Sequence, residues 1–215
     1  MRILVIVGHP IAGSLNHALA SSYADAARDA GAEVRTVDLA TTRFPHDPAT
    51  RSDLRAPDGG TAHLDPTVAG LVDDVRWADH LVVLHPQWWG TYPAALKAFL
   101  DRVLLSGVTF GYRSGHLPDR LMRGRTARTF MTMDSPRAWN LLAYRDAAGA
   151  SLGRATLAFC GYRLVGRSTF AKVRFSSSDE RARWLARTAA LARRDVTRLS
   201  RALLSPVPAT PLPHP

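Results

Sequence analysis

A hydroxyl and an amide side chain follow the first apolar run of the sequence and could bind a phosphate group. Residues 8–16 read Gly-His-Pro-Ile-Ala-Gly-Ser-Leu-Asn, which places Ser14 and Asn16 at the start of a predicted helix. Backbone N–H groups at a helix N-terminus bind phosphate without a cationic side chain. The segment lacks a P-loop lysine and a G-x-G-x-x-G pattern, which disfavours a nucleoside triphosphatase. Ser14 could equally be a simple N-cap, so the residues alone leave both interpretations open.

A tryptophan-rich segment and a polar turn are the next candidates for ligand contact. Residues 85–93 read His-Pro-Gln-Trp-Trp-Gly-Thr-Tyr-Pro directly after a predicted strand. A flat aromatic ligand could stack on Trp88 or Trp89, and Gly90 would allow the backbone to approach it closely. The alternative is that one tryptophan packs beneath the next helix. The turn of residues 132–136 follows another predicted strand and taken alone is an ordinary loop.

Other reactive residue types do not form a recognisable site. His46-Asp47 and His63-x-Asp65 share no metal-binding spacing, so no metal is predicted. The lone Cys160 excludes a disulfide framework and is expected to be a buried structural thiol. No G-x-S-x-G sequence supports a serine hydrolase.

Alternating strands and helices are predicted to position these segments. Strands are predicted over residues 2–7, 33–37, 81–84, 126–133 and 163–170, and helices over 15–30, 66–78, 93–104, 141–159 and 178–199. Five such alternations predict one doubly wound α/β domain over residues 1–203. In such a sheet, ligands bind beyond the carboxyl ends of the strands. Residues 39–65 are predicted to form a long loop, and the proline-rich residues 204–215 a disordered tail.

The composition agrees with a globular chain and narrows its partners. Of 215 residues, 46% are hydrophobic and 21% charged, which suffices for a sizeable core. The net charge of +10 favours anionic partners, but the arginines are spread along the chain, so nucleic acid is not predicted. No apolar stretch is long enough for a membrane span, and no signal peptide is recognised, so the cytoplasm is the predicted location.

Several of these segments together resemble the NAD(P)H:quinone oxidoreductase family, of the modulator-of-drug-activity or NAD(P)H dehydrogenase (quinone) type. The matching pieces are Gly8-His9-Pro10, Ser14-Leu15-Asn16, Phe159-Cys160-Gly161, and His-Pro-x-Trp-Trp-Gly-x-x-Pro-Ala-x-Leu-Lys-x-Phe-x-Asp-Arg-Val over residues 85–103. The resemblance covers about residues 2–195. It implies a flavodoxin-like five-stranded parallel sheet of order 2-1-3-4-5 with helices on both faces. It also implies a flavin-binding homodimer that reduces quinones or related electrophiles with NADH or NADPH by ping-pong hydride transfer.

The resemblance assigns roles to individual residues. Cofactor binding is assigned to His9, Ser14, Leu15, Asn16, Pro86, Gln87, Trp88, Trp89, Gly90, Thr132, Met133, Asp134 and Ser135. Phe110 and Tyr112, which have no obvious partner in their own chain, are assigned to the substrate pocket across the dimer interface. Mammalian-type members use a Tyr/His pair as a proton relay, whereas no histidine occurs here between His116 and His214. Tyr144 is the candidate replacement for the tyrosine, and no other catalytic side chain is predicted.

The sequence favours one flavin over the other and leaves two alternative functions open. FAD is favoured over FMN because the long segment 39–65 adjoins the first loop and could receive an adenosine. Its residues Arg43, Arg51 and Arg55 could face a second phosphate. One alternative is a flavin-binding ancillary subunit that regulates a potassium-efflux transporter. The other is a regulatory nucleotide-binding module without flavin, which a yellow purified protein would exclude.

Overall fold

Five parallel strands form the central sheet of the protein. The computed structural model describes residues 1–112 and 118–204. The strands are β1 (Arg2–Val7), β2 (Glu33–Asp38), β3 (His80–Pro86), β4 (Thr126–Thr132) and β5 (Arg163–Phe170). Their spatial order is β2-β1-β3-β4-β5, and Val5 pairs with Thr36 on one side and with Val82 on the other. The predicted flavodoxin-like strand order is therefore confirmed.

Helices cover both faces of the sheet, as predicted. The helices are α1 (Leu15–Asp29), α2 (Pro66–Trp77), α3 (Ala94–Val103), α4 (Arg137–Leu142), α5 (Ala147–Gly149), a π-helix (Ala150–Ala158) and α6 (Ser178–Leu204). Ile3, Val5 and Val7 face α1 and α6, whereas Leu4 and Ile6 face α2, α3 and the π-helix. Because both faces are covered, β1 is a continuous apolar run rather than an alternating one.

Hydrogen bonds to one side chain explain where helix α2 begins. The Asp65 side chain accepts hydrogen bonds from the backbone N–H groups of Thr67 (2.9 Å) and Val68 (3.2 Å), and it is therefore the N-cap of α2. At the other end, α6 continues to Leu204. The rest of the predicted tail, residues 205–215, lies outside the described residues.

The helix predicted over residues 141–159 is instead broken into two parts. Arg145 and Asp146 adopt left-handed backbone conformations, with φ of 49° and 53°, between α4 and α5. Asp146 accepts a hydrogen bond from the Asn140 side chain (3.2 Å) and pairs with Arg167 on β5, which holds the break in place. The second part winds as a π-helix, in which the Thr156 hydroxyl bonds the Ser151 carbonyl five residues earlier (3.0 Å).

The predicted long loop of residues 39–65 is an ordered part of the core. It contains two 3₁₀ turns, at Arg51–Leu54 and Pro57–Gly59, and it buries Ala56 and Leu64 against α2 and α3. The Ala56 N–H donates to the Ser106 carbonyl (2.8 Å). Its apolar anchors therefore place the segment on the α2–α3 face of the sheet.

No helix within the described ranges combines the length and the apolar character needed to cross a membrane.

Candidate functional site

Loops from four strands meet at the carboxyl edge of the sheet and enclose a cavity of about 240 Å³. It is lined by His9, Ser14, Leu15, Asn16, Pro86, Gln87, Trp88, Thr132, Met133, Asp134 and Val173. Of the residues assigned to cofactor binding, Trp89, Gly90 and Ser135 are outside this lining. The sequence hypothesis omitted Val173, because it considered only the loops after strands one, three and four. The carboxyl end of β5 lies at the same edge, and this topological rule was the available signal.

Hydrogen bonds between the loops fix the floor of the cavity. The Asn16 amide donates to the Thr132 hydroxyl (2.9 Å), and the Gln87 backbone N–H donates to the Thr132 carbonyl (2.7 Å). Asn16 is buried, and its Oδ1 has no partner among the described residues. Since an amide can be turned by 180° and Thr132 can donate as well as accept, Asn16 can offer a ligand either an acceptor or a donor. A buried polar group with spare bonding capacity fits a polar ligand in this cavity.

The N-terminus of α1 supplies further hydrogen-bond donors. Ser14 stands at the N-cap position, but its side chain makes no capping hydrogen bond. Its Oγ lies instead 2.7 Å from Nδ1 of His17. The interpretation of the Ser14 side chain as a simple cap is therefore wrong. Because that cap bond is missing, the first N–H groups of α1 keep their capacity to bind an anion.

His9 is a neutral hydrogen-bond donor beside these N–H groups. The Ile11 N–H donates to His9 Nδ1 (3.1 Å), so the ring proton is carried by Nε2. Burial is the main cause that lowers the pKa of His9, and the neighbouring His17 lowers it further. The His9 ring meets Trp88 edge to face, with ring centroids 5.7 Å apart. The imidazole thus contributes an N–H without a competing positive charge.

Trp89 and Gly90 form a tight turn beside the cavity. The backbone groups of Trp88 and Thr91 exchange two hydrogen bonds of 2.9 Å, and the central residues Trp89 and Gly90 have φ of 51° and 76°. This left-handed geometry accounts for the glycine. The Trp89 side chain is 99% exposed, and the Tyr144 ring packs against Gly90. Tyr144, the candidate proton donor, therefore lies on the turn and is absent from the cavity lining.

The loop after β5 closes the remaining side. The Arg174 N–H donates to the Asp134 carboxylate (2.9 Å), and the Val173 N–H donates to the Met133 carbonyl (3.1 Å). These bonds explain how Val173 reaches the cavity and why the Asp134 carboxylate is partly satisfied by the protein itself.

Phe110 lines a different cavity, of about 380 Å³, between α3 and the π-helix. Its ring contacts Phe159, with centroids 5.1 Å apart, and Tyr112, at 6.0 Å. The expectation that Phe110 has no partner in its own chain is therefore wrong. Tyr112 remains 58% exposed.

The loop that was expected to receive an adenosine does not contribute to the lining of this cavity. None of residues 39–65, all within the described ranges, lines the cavity at the carboxyl edge. His63 of this loop contacts the backbone carbonyls of Ser52 (3.1 Å) and Arg55 (3.0 Å). The structure therefore gives no support to the premise for preferring FAD.

Comparisons with known proteins agree with this architecture. The sequence profile described as flavodoxin-like fold matches residues 1–193. A ribosyldihydronicotinamide dehydrogenase-like protein of Penicillium crustosum is 31% identical over 56% of this chain and 49% of its own length. An FMN-dependent NADH:quinone oxidoreductase of Alcanivorax borkumensis is 33% identical over 52% of this chain and 61% of its own length. The chain thus spans about half of the first of these relatives.

A solved structure has the same fold over nearly the whole chain. The FMN-dependent NADH-azoreductase of Bacillus anthracis, in complex with FMN, superposes with a TM-score of 0.71. The superposition covers 93% of this chain and 100% of that one, at 14% sequence identity.

Proposed function

The chain belongs to the flavodoxin-like fold family, and from this premise we propose that it is a flavin-dependent NAD(P)H oxidoreductase that reduces quinones or related electrophiles. The observation that carries the proposal is the cavity at the carboxyl edge of the sheet. Uncapped helix N–H groups, a neutral histidine donor and the spare hydrogen-bonding capacity of Asn16 meet there beside Trp88. The transporter-subunit alternative gains no support from the relatives described.

FMN is the better-supported cofactor. The cavity offers donors for one phosphate group at the start of α1, and the segment that was expected to hold an adenosine packs on the α2–α3 face. The Alcanivorax relative is named FMN-dependent, which points the same way. We therefore propose FMN as the cofactor.

The residues of the cavity divide into two tasks. The α1 N–H groups, His9, Ser14 and Asn16 would bind the phosphate end, while Trp88 and the segments around Gln87 and Thr132 would hold the ring. A bound flavin supplies hydride transfer, taking hydride from NADH or NADPH and passing it to the acceptor in turn. The Gln87 and Trp88 N–H groups already donate to the Thr132 and Thr91 carbonyls, so the N–H groups of the turn residues Trp89 and Gly90 would be the ones to stabilise negative charge on the ring. Because the flavin carries the hydride, no side-chain nucleophile is needed.

A homodimer is part of the proposal. Five large apolar side chains on the turn and on the segment 139–144 are exposed: Trp89, Trp139, Leu141, Leu142 and Tyr144. The Tyr144 ring links the two segments, because it packs against Gly90 and its centroid lies 6.5 Å from that of Trp139. Several large exposed apolar side chains near one another are characteristic of protein interfaces. A second copy that covers this set would exclude water from the ring side of the cavity.

The phosphate site is tested by the double variant Ser14→Ala/Asn16→Ala. Each lost hydrogen bond to a charged phosphate costs about 1.5–3 kcal/mol, so FMN affinity should fall at least 100-fold. Affinity is measured by the quenching of flavin fluorescence, and the melting temperature checks the fold. Ser21→Ala, an exposed change on the same helix, is the matched control and should leave FMN affinity unchanged. Equal affinity of wild type and double variant would contradict the proposed site.

The cofactor and the activity have separate tests. Flavin released by heat from the purified protein should elute as FMN in chromatography, and an FAD peak would overturn our assignment. NADH or NADPH oxidation should then depend on an added quinone. A flavin-loaded protein without quinone-dependent turnover would contradict the enzymatic function.

A further inference from the structure

The side chains of Ser14, His17 and Asp38 form a hydrogen-bonded series. Ser14 Oγ lies 2.7 Å from His17 Nδ1, and His17 Nε2 lies 3.0 Å from Asp38 Oδ1 at the end of β2. The His17 and Asp38 side chains are only 18% and 28% exposed. Asp38 Oδ1 also accepts the Ala40 N–H (2.9 Å), which holds the carboxylate in place. These contacts link the β2 edge of the sheet to the proposed phosphate site.

The direction of the Ser14 hydrogen bond depends on the protonation state of His17. The Asp38 carboxylate only accepts, so His17 Nε2 must carry a hydrogen. In a neutral imidazole Nδ1 is then bare, and the single Ser14 hydrogen is used to reach it. Ser14 would present only lone pairs to an anion. In a doubly protonated imidazole Nδ1–H donates to Ser14 Oγ, and the Ser14 hydrogen is free to donate elsewhere.

We propose that His17 is a positioning residue whose protonated form turns the Ser14 hydroxyl towards the flavin phosphate, so that FMN binding is coupled to proton uptake at His17. The inference rests on the proposed function and deepens it, because it states which protonation state binds the phosphomonoester. His17 does not touch the phosphate in this scheme. It acts through Ser14, and Asp38 holds the ring and balances its charge.

The charged surroundings of His17 agree with a cationic imidazole in the complex. Asp38 faces it from β2, and a phosphate dianion beside Ser14 adds further negative charge. The His9 ring, 6.2 Å away between centroids, is held in its neutral form by burial. Asp25 and Arg28 on α1 share a shallow cavity with His17, and their 2.9 Å ion pair largely cancels their charges.

The test compares FMN with riboflavin, which lacks the phosphate, between pH 7 and pH 9. A phosphate monoester with a second pKa near 6 is already a dianion in this range, so its own ionisation does not change. In the wild type the Kd for FMN should rise at least about tenfold across the range, because the Kd changes by up to tenfold per pH unit when binding takes up one proton. The Kd for riboflavin should stay constant. His17→Asn should bind FMN more weakly at pH 7 and show no such rise, with riboflavin affinity unchanged.

Two outcomes separate this inference from the proposed function. If His17→Asn keeps the wild-type pH profile for FMN, the role of His17 is overturned while the flavin site stands. If wild type binds FMN and riboflavin equally at every pH, the phosphate site itself fails, and both proposals fall. Nitrogen-15 NMR of the FMN complex at pH 7 measures directly how many ring nitrogens of His17 carry a hydrogen. Two ring N–H groups on His17 support the inference, and a neutral ring overturns it.

Discussion

At the scale of single residues, Gly107 shows how a backbone position is dictated by a neighbouring segment. Its φ is 89°, and a Cβ atom at this position would lie 2.0 Å from the Ala56 carbonyl oxygen. The close approach exists because the Ala56 N–H bonds the Ser106 carbonyl. Any side chain at Gly107 must push the 39–65 segment off the core.

Gly107→Ala should therefore lower the free energy of unfolding by more than about 2 kcal/mol, through left-handed strain and the backbone clash. Gly70→Ala is the matched control, because Gly70 is inside α2 and a Cβ atom added there would meet nothing within 4 Å. That change should raise stability by about 0.5–1 kcal/mol. Urea unfolding monitored by circular dichroism measures both. Equal effects of the two changes would contradict the packing of the loop.

Much of the candidate site was predictable at this scale, and the exceptions have physical causes. Ser14 and Asn16 follow a buried strand, so their place at its carboxyl end could be inferred from topology. The bonding of Ser14 to His17 could not, because it depends on the rotamers of both residues and on Asp38 from another strand. Trp89 was expected in the cavity, but its left-handed backbone directs the side chain into solvent.

At the scale of elements, the break between α4 and α5 depends on one carboxylate. Asp146 holds the Asn140 side chain and pairs with Arg167, and Asn140 in turn accepts a hydrogen bond from the Gln87 side chain beside the cavity. The short helix α4 is thereby fastened both to β5 and to the loop after β3.

Asp146→Ala should destabilise this connection by about 1–2 kcal/mol, since it leaves a buried amide partly unsatisfied and removes an ion pair. Hydrogen exchange of the amides in residues 137–150 should become faster, while exchange in β1 stays slow. Asp47→Ala, an exposed change in the 39–65 segment, is the control and should alter the exchange neither of residues 137–150 nor of β1. Unchanged exchange in residues 137–150 would show that the break is held by other contacts.

Sequence patterns predicted best the elements that are specified by neighbouring residues alone. β1 and β3 are continuous apolar runs, and α2 follows its own capping residue. The helix expected over residues 141–159 failed because helical periodicity continues across Arg145 and Asp146, whereas the contact that breaks it comes from Arg167 on β5. The 39–65 segment has no period, yet Ala56 and Leu64 anchor it through contacts remote in sequence.

At the scale of the whole molecule, two buried histidines link stability to pH. His80 and His85 are 0% and 1% exposed, and burial lowers the pKa of each to about 4. In the unfolded chain both would titrate near 6.5. The unfolded state therefore takes up protons first on acidification, and the folded state is progressively disfavoured between about pH 6.5 and pH 4.

Each histidine should account for a loss of up to about 3 kcal/mol by pH 4. The urea midpoint should thus fall steadily from pH 7 to pH 4.5. His80→Gln should reduce this slope, whereas His46→Gln, at an exposed position, should preserve it. A midpoint that is constant over this range would contradict the neutral state of the buried rings.

The proposed homodimer is also a property of the whole molecule. Light scattering at micromolar concentration should give twice the mass of the 23.5 kDa chain. Leu142→Asp, at a position 82% exposed in the single chain, should favour the monomer without lowering its intrinsic stability. Phe175→Asp, which changes an exposed side chain outside this set, serves as a control and should remain dimeric. A wild-type monomer with full quinone reductase activity would refute a shared site.

The strand order also affects the chain while it is still being synthesised. β1 is complete by Val7 and can pair with β2 after Asp38, but its other edge is satisfied only when β3 follows at residues 80–86. At about 5–20 residues per second on the ribosome, that interval is a few seconds. During this time the run Ile3–Val7, which is uncharged and rich in β-branched residues, exposes unpaired backbone groups. The nascent chain is therefore exposed to aggregation until β3 has emerged and paired with β1, and a chaperone that binds short apolar segments would act in that interval.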